Sequence, residues 1–285
     1  MNKIEIKTFM LQKDGSPSSC KDALEINADL SRFAIADGIS RSYYPDITAK
    51  ELCRIFVNEQ YNFTDWETRL TEGFLNDLSA HWNQQVRQVE GELNEIDLYD
   101  VQLLREMLPA GSSTLAGIEV CREQQKVFYH VLGDSTIFQI REDRPMISLC
   151  TSPRENRNGY DYILFDNSPD CITSMRHSCM DDIQMRVTGH WASGSLQLEE
   201  GYIILMTDGM AKWFQDEYLV KGKTVPDFLW NIPSQKDFGK FVEYCRSRNE
   251  INDDVSVIML KISEDQDGEH TVLYRGDLEF KGLTC

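Results

Sequence analysis

Two rhythms of apolar residues divide the chain. Alternation of period two marks a strand in "IEIKTFML" (Ile4 to Leu11), which leads into the polar loop "QKDGSPSSCKDA", and a second strand follows in "SRFAIADG" (Ser31 to Gly38). From Asp46 the spacing becomes helical: in "DITAKELCRIFVNEQY", Ile47, Leu52, Ile55 and Phe56 fit one face, and Asp46 is the expected cap. A longer helix is expected from Trp66 to about Val89, where Leu70, Phe74, Leu78 and Trp82 recur at helical intervals. After "LREMLPAGSS" come three strand-like runs, "STLAGIEVC", "QKVFYHVLGD" and "TIFQIRED", whose short polar turns predict an antiparallel meander. Met146 to about Ser195 carries Pro, Asn, Asp and Ser without a clear period and reads as loops with short elements. Order returns with the strand "GYIILMTDG", a short helix from Met210, a helix in "SQKDFGKFVEYCRSR" and the strand "DVSVIMLKI". A last run, "TVLYRGDLEF", reads as an edge strand within a C-terminal extension of about residues 265–285.

Strands near both ends of the chain surround long helices without strict strand-helix alternation. That pattern predicts an α+β fold of mostly antiparallel sheets covered by helices, and argues against a doubly wound parallel sheet. With 285 residues, 41% of them hydrophobic, the chain is expected to form one large domain over residues 1–285.

Composition narrows the partners. A formal net charge of -18 repels phosphate backbones and anionic lipid, so neither nucleic acid nor membrane is an expected partner. No apolar window is long enough for a membrane span, and "MNKIEIKTFM" lacks the apolar core of a signal peptide, so a soluble cytoplasmic protein is expected. The eight cysteines are scattered, with no Cys-x-x-Cys pair, and the five histidines show no zinc spacing. Reduced thiols follow, and any bound metal would be held by oxygen.

Oxygen donors sit at strand ends. "FAIADG" and "YIILMTDG" run directly into Asp37-Gly38 and Asp208-Gly209; "VFYHVLGDS" ends at Asp134, and "NDD" precedes the strand "VSVIML". Each aspartate alone is an ordinary turn or cap residue. Clustered in a partly buried site, their charges would repel and call for hard cations, Mg²⁺ or Mn²⁺. Two such ions can share a carboxylate and a water, lowering the water's pKa for in-line attack on phosphorus.

Six motifs in order, "KDA" (Lys21 to Ala23), "ADG" (Ala36 to Gly38), "GSST" (Gly111 to Thr114), "GDS" (Gly133 to Ser135), "TDG" (Thr207 to Gly209) and "DDVSVIML" (Asp253 to Leu260), resemble the metal-dependent protein serine/threonine phosphatases of type 2C, in a compact bacterial-like form. The resemblance spans about residues 5–263. It implies a four-layer α-β-β-α sandwich, a centre of two Mg²⁺ or Mn²⁺ ions, and hydrolysis of phosphoserine or phosphothreonine in a phosphoprotein substrate by a metal-bridging hydroxide. Asp37 matches the bridging aspartate, the Gly38 carbonyl a backbone ligand, and Asp208 and Asp253 the carboxylates completing the first metal's shell. Asp22 lies in the motif that supports the second metal's waters, and Asp134 would be second shell or ligand to a weaker third ion. The region of about 146–195 corresponds to the variable flap beside the site.

Departures bear on substrate binding. Lys21 stands where many members have a glutamate, Pro17 where many have a phosphate-gripping arginine, Ser40 replaces a glycine, and Thr136 replaces a frequent arginine. Lys21 supplies a point charge for phosphate or disfavours the second metal, and Arg41 is a further phosphate candidate. Arg154 and Arg157 read as solvated loop arginines with the same alternative role. His130 reads as a structural histidine, His177 as a loop residue with general acid as its alternative role, and Cys171 and Cys179 as free thiols. Two other functions stay open: a pseudophosphatase acting as a binding module, and hydrolysis of a small phosphorylated metabolite.

Overall fold

A computed structural model of the chain describes residues 2–13, 20–29, 31–58, 72–107, 110–157, 159–165, 168–174, 191–264 and 272–274. Two sheets form its centre. One has six strands: β1 (Asn2–Leu11), β7 (Thr136–Ile140), β8 (Ile147–Leu149), β13 (Gly201–Met206), β14 (Val255–Glu264) and β15 (Val272–Tyr274), in the order β15-β1-β14-β13-β7-β8. The other has five: β2 (Asp22–Asn27), β3 (Arg32–Asp37), β5 (Leu115–Cys121), β6 (Lys126–Leu132) and β12 (Ala192–Gln197), in the order β12-β6-β5-β3-β2. All pairings in the two sheets are antiparallel except β1 with β15.

Period-two alternation sorts each strand's side chains between two layers of core. In β3, Phe33 and Ile35 face the space between the sheets, whereas Ala34 and Ala36 face α1 (Pro45–Val57) and α2 (Glu72–Gly91). In β14, Ile258, Leu260 and Ile262 enter the same inter-sheet core. Val255, Val257 and Met259 pack outward under α4 (Asp208–Lys221), α5 (Thr224–Trp230) and α6 (Gln235–Ser247). The result is the four-layer α-β-β-α sandwich, with α1 and α2 covering one sheet and α4, α5 and α6 the other. Phe238 of α6 stacks on Phe9 of β1 with ring centroids 4.4 Å apart, which anchors the second helical layer.

Several expectations change, and one is at the site: Asp22 and Ala23, read as the end of the polar loop, open β2. The first helix starts at Pro45 behind Tyr44, which has a left-handed backbone (φ 47°); Asp46 does not cap it but lies in the first turn, 3.3 Å from Lys50 Nζ. Proline at the first helical position forfeits only an N–H that has no partner there anyway. Helix α3 (Glu95–Met107) and the short α5 were not expected. The irregular stretch contributes β8 and β12 to the two main sheets, and also holds the β9 (Arg154–Arg157) and β10 (Tyr160–Ile163) hairpin and β11 (Ile172–Thr173), which pairs with β4 (Ser112–Ser113). The edge strand of "TVLYRGDLEF" is β15, while the start of the second helix at Trp66, the residues after Tyr274, and Pro17, His177 and Cys179 lie outside the described residues. Among the described residues no helix is long and apolar enough to cross a membrane.

Candidate metal centre

Sheet register brings the strand-end aspartates to one end of the sandwich. Asp22 opens β2 and Asp37 closes β3, and the two are direct partners in the antiparallel pair. In the facing sheet, Met206 at the end of β13 pairs with Val257 near the start of β14, so Thr207 comes opposite Ser256, to whose carbonyl its N–H donates at 3.2 Å, and the Asp208-Gly209 turn lies against Asp253-Asp254. Thr207 joins the sheets: its hydroxyl donates to Asp22 Oδ2 at 2.7 Å and accepts the Ser256 N–H at 3.0 Å. Asp208 is the first residue of α4, where the helix N-terminus favours negative charge, and its Oδ1 accepts the Gly209 N–H at 2.6 Å.

Both Asp-Gly turns need their glycines. A Cβ on Gly38 would stand 2.6 Å from the Pro45 carbonyl oxygen and 2.9 Å from that of Lys21; one on Gly209 would stand 2.5 Å from the Asp254 carbonyl oxygen. The "GSST" motif then fixes the backbone of Asp37. Thr114 Oγ1 accepts the Asp37 N–H at 3.1 Å, and the Asp37 carbonyl accepts from Thr114 N at 2.9 Å and Ser113 Oγ at 2.8 Å. Thr114 Oγ1 also lies 2.7 Å from Ser135 Oγ, linking this motif to the turn that carries buried Asp134.

Burial grades the carboxylates. Asp253 is exposed, Asp37 and Asp208 are half-buried, and Asp22, Asp134 and Asp254 are buried. Asp37 has its pKa pushed well above the usual carboxylate range by burial and then by Asp22, Asp208, Asp134 and Asp253. Asp22 is raised in the same way, chiefly by burial with Asp254 and Asp208 adding, against the opposing Thr207 hydrogen bond. Asp208 is pushed up to about 6 by burial and by Asp253, with the Gly209 N–H and Lys212 opposing. Among the described residues, no three His, Cys, Asp or Glu side chains converge as a metal cage would. The donor chemistry nevertheless fits a hard cation: the groups are carboxylates and backbone oxygens, and their charges oppose one another.

Asp254 differs from its neighbour. Its Oδ1 accepts the Lys13 N–H at 2.6 Å and its Oδ2 the Lys21 N–H at 2.9 Å, so one buried carboxylate ties the backbone at Lys13 to that at Lys21. Arg246 completes the clasp, donating to the Gln12 carbonyl at 3.1 Å and the Asp253 carbonyl at 2.8 Å. Sequence reasoning missed the parts played by Asp254, Thr207 and Arg246; only the doubled aspartate of "NDD" and the Thr of "TDG" were signals.

The remaining candidates separate. Lys21 Nζ donates to Ser40 Oγ at 3.1 Å, so two of the departures from the family pattern meet at the rim, with exposed Arg41 beside them. Arg154 is braced instead: it donates to Ser148 O at 2.9 Å and pairs with Asp161. Arg157 lies over the Tyr162 ring, 3.5 Å from its centroid. His130 is a core residue near the Phe56 and Trp191 rings, its pKa lowered to about 2 by burial. Cys171 is half-buried.

The sequence profile of the family Protein phosphatase 2C matches residues 12–244, and the chain belongs to that family. No curated protein matches it significantly by sequence. Solved structures share the fold. The Mycobacterium tuberculosis serine/threonine phosphatase PstP/Ppp is 11% identical with a TM-score of 0.51, covering 90% of this chain and 98% of that one. Stp1, a serine/threonine phosphatase from Staphylococcus aureus, is 13% identical with a TM-score of 0.51, covering 91% and 95%. The catalytic domain of PstP in complex with two manganese ions is 12% identical with a TM-score of 0.53, covering 93% and 100%.

Proposed function

We propose that residues 1–285 act as one metal-dependent protein serine/threonine phosphatase unit, cytoplasmic and acting on phosphoproteins. The observation that carries this reading is the gathering of Asp22, Asp37, Asp208 and Asp253 at one end of the sandwich, where burial and neighbouring aspartates raise the Asp22, Asp37 and Asp208 pKa values. Carboxylates that destabilise one another's charge are stabilised by a shared cation.

Asp37, Asp208 and Asp253, the three that reach solvent, would hold two Mg²⁺ or Mn²⁺ ions together with the Gly38 carbonyl. Asp22, braced by Thr207, and Asp134 would support them from the buried side, with Asp134 the candidate for a third ion. When bound, these ions supply charge neutralisation and a more acidic water for attack on phosphorus. Lys21 and Arg41 bring positive charge to the rim, where a phosphate enters. Lys21 does so as a single point charge and lacks the two-pronged grip of an arginine.

Manganese-dependent hydrolysis of a phosphothreonine peptide and of an aryl phosphate tests the reading. Turnover that disappears with chelator and in Asp208→Asn supports it, and turnover retained in Asp208→Asn contradicts it. Activity on phosphorylated metabolites but none on phosphopeptides would redirect the substrate assignment.

The contact between Lys21 and Ser40 favours one alternative, a pseudophosphatase that keeps the sandwich and binds partners without turnover. There the ammonium occupies the rim and opposes the second cation. Activity appearing only in Lys21→Glu with Pro17→Arg would identify that alternative.

A further inference from the structure

The exposed apolar residues are unevenly distributed. Of the ten large hydrophobic side chains exposed among the described residues, five lie between Val89 and Met107. Four belong to α3: Tyr99 is 69% exposed, Leu103 52%, Leu104 48% and Met107 72%. Tyr99, Leu103 and Met107 follow one another at four-residue steps and so form a stripe along one face. The helix is attached from another side, where Val101 packs against the cluster of Tyr43, Ile47, Trp82 and Val86. A contiguous apolar stripe on an otherwise charged surface marks a contact site.

Charge identifies the occupant. Exposed Glu92, Asp97, Asp100 and Glu106 surround the stripe, and Arg105 is the only basic residue of α3. An anionic membrane is repelled by this rim, and two copies of the face would set like charges against each other across a twofold contact. An amphipathic helix with leucine-type residues on one side and lysine or arginine beside them complements both features. We propose that the exposed face of α3 docks a basic amphipathic helix of a partner protein.

The face is joined to the carboxylate end. Tyr43 donates its hydroxyl to Glu90 Oε1 at 2.8 Å with the Val101 carbonyl 3.3 Å away, and its N–H to the Ala110 carbonyl at 3.0 Å, and Ile39, next to Gly38, donates to the Ser112 carbonyl at 2.9 Å. A helix seated on α3 therefore rests on the same framework that carries the Asp37-Gly38 turn. The docking proposal does not depend on hydrolysis.

The test is fluorescence anisotropy of a synthetic leucine-lysine amphipathic helix against a leucine-glutamate helix of equal hydrophobicity, titrated with the whole chain at physiological salt. The basic helix is expected to bind, and the acidic one to bind about tenfold more weakly or worse. Tyr99→Ser with Leu103→Ser and Met107→Ser leaves the charge unchanged and is expected to cost about tenfold or more. Asp97→Asn with Asp100→Asn and Glu106→Gln is expected to weaken binding and its salt dependence. Circular dichroism of both variants checks that the fold is kept. Equal binding of the basic helix by parent and the serine variant would overturn the proposal, because attraction would then come from the general negative charge. Self-association, or adsorption to anionic vesicles, that the serine variant abolishes while the basic helix fails to bind would also overturn it.

Discussion

The strands β7, β13 and β14 have opposite electrostatics at their two ends. At one end burial and neighbouring aspartates oppose the ionisation of Asp22, Asp37 and Asp208. At the other, Arg141 pairs with Glu199 and Asp143, the Tyr202 hydroxyl donates to Asp227 at 2.7 Å, and Lys261 lies over the Tyr202 ring. A cavity of about 570 Å³ opens at that compensated end, lined by Arg141, Tyr202, Lys223 and Lys261 among others. Cavity volume and chemistry thus point to opposite ends of the same sheet. Compensated charge holds structure together, whereas charge left opposed in a partly buried place is what a cation-dependent reaction requires.

The largest expected contrast is in turnover. Asp37→Asn is expected to lower manganese-dependent phosphopeptide hydrolysis by about a thousandfold or more, while Asp227→Asn at the compensated end leaves it within about twofold. Steady-state kinetics on both variants measures the difference.

Next comes the clasp. Asp254→Ala leaves the Lys13 and Lys21 N–H groups without their carboxylate and is expected to cost about 3 kcal/mol in urea unfolding. Asp254→Asn keeps one acceptor oxygen and is expected to cost roughly half of that. An equal loss in the two variants would show that the paired acceptors are not what matters.

Histidine gives an effect that is absent near neutral pH and grows on acidification. The ordinary pKa of 6.5 falls to about 2 for buried His130, so the unfolded chain binds its proton first on acidification. Its contribution is complete above pH 6.5 and is lost as pH falls towards 2, at about 1.4 kcal/mol per pH unit. His130→Leu is expected to flatten that part of the stability profile between pH 6.5 and 4, measured by urea unfolding across pH.

How much of this was legible in sequence follows from where the information lies. Antiparallel sheets under helices were readable from the apolar runs and their turns, whereas the four-layer order came from the motif resemblance; its physical basis is that β3 and β14 carry apolar residues on both faces, each face meeting a different layer. Helix α3 carries the helical signal in the four-residue steps of Tyr99, Leu103 and Met107 and was nonetheless missed; what that spacing does not record is that the stripe faces solvent. Strand β12, "ASGSLQ", has little apolar alternation and is defined by its pairing with β6. The strand-end aspartates were legible as a set because each follows or precedes an apolar run. The clasp was not, since Asp254 meets Lys13 and Lys21 across 241 and 233 residues of chain, and no local pattern records such a contact.

The most direct test of the central claim is calorimetric titration of Mn²⁺ into the parent chain and into Asp37→Asn, with turnover left out of the measurement. The account expects the parent to take up two ions and Asp37→Asn to lose at least one of them. A parent that binds no manganese, or an Asp37→Asn chain that binds it as the parent does, would contradict the claim that the opposed carboxylates form the metal centre.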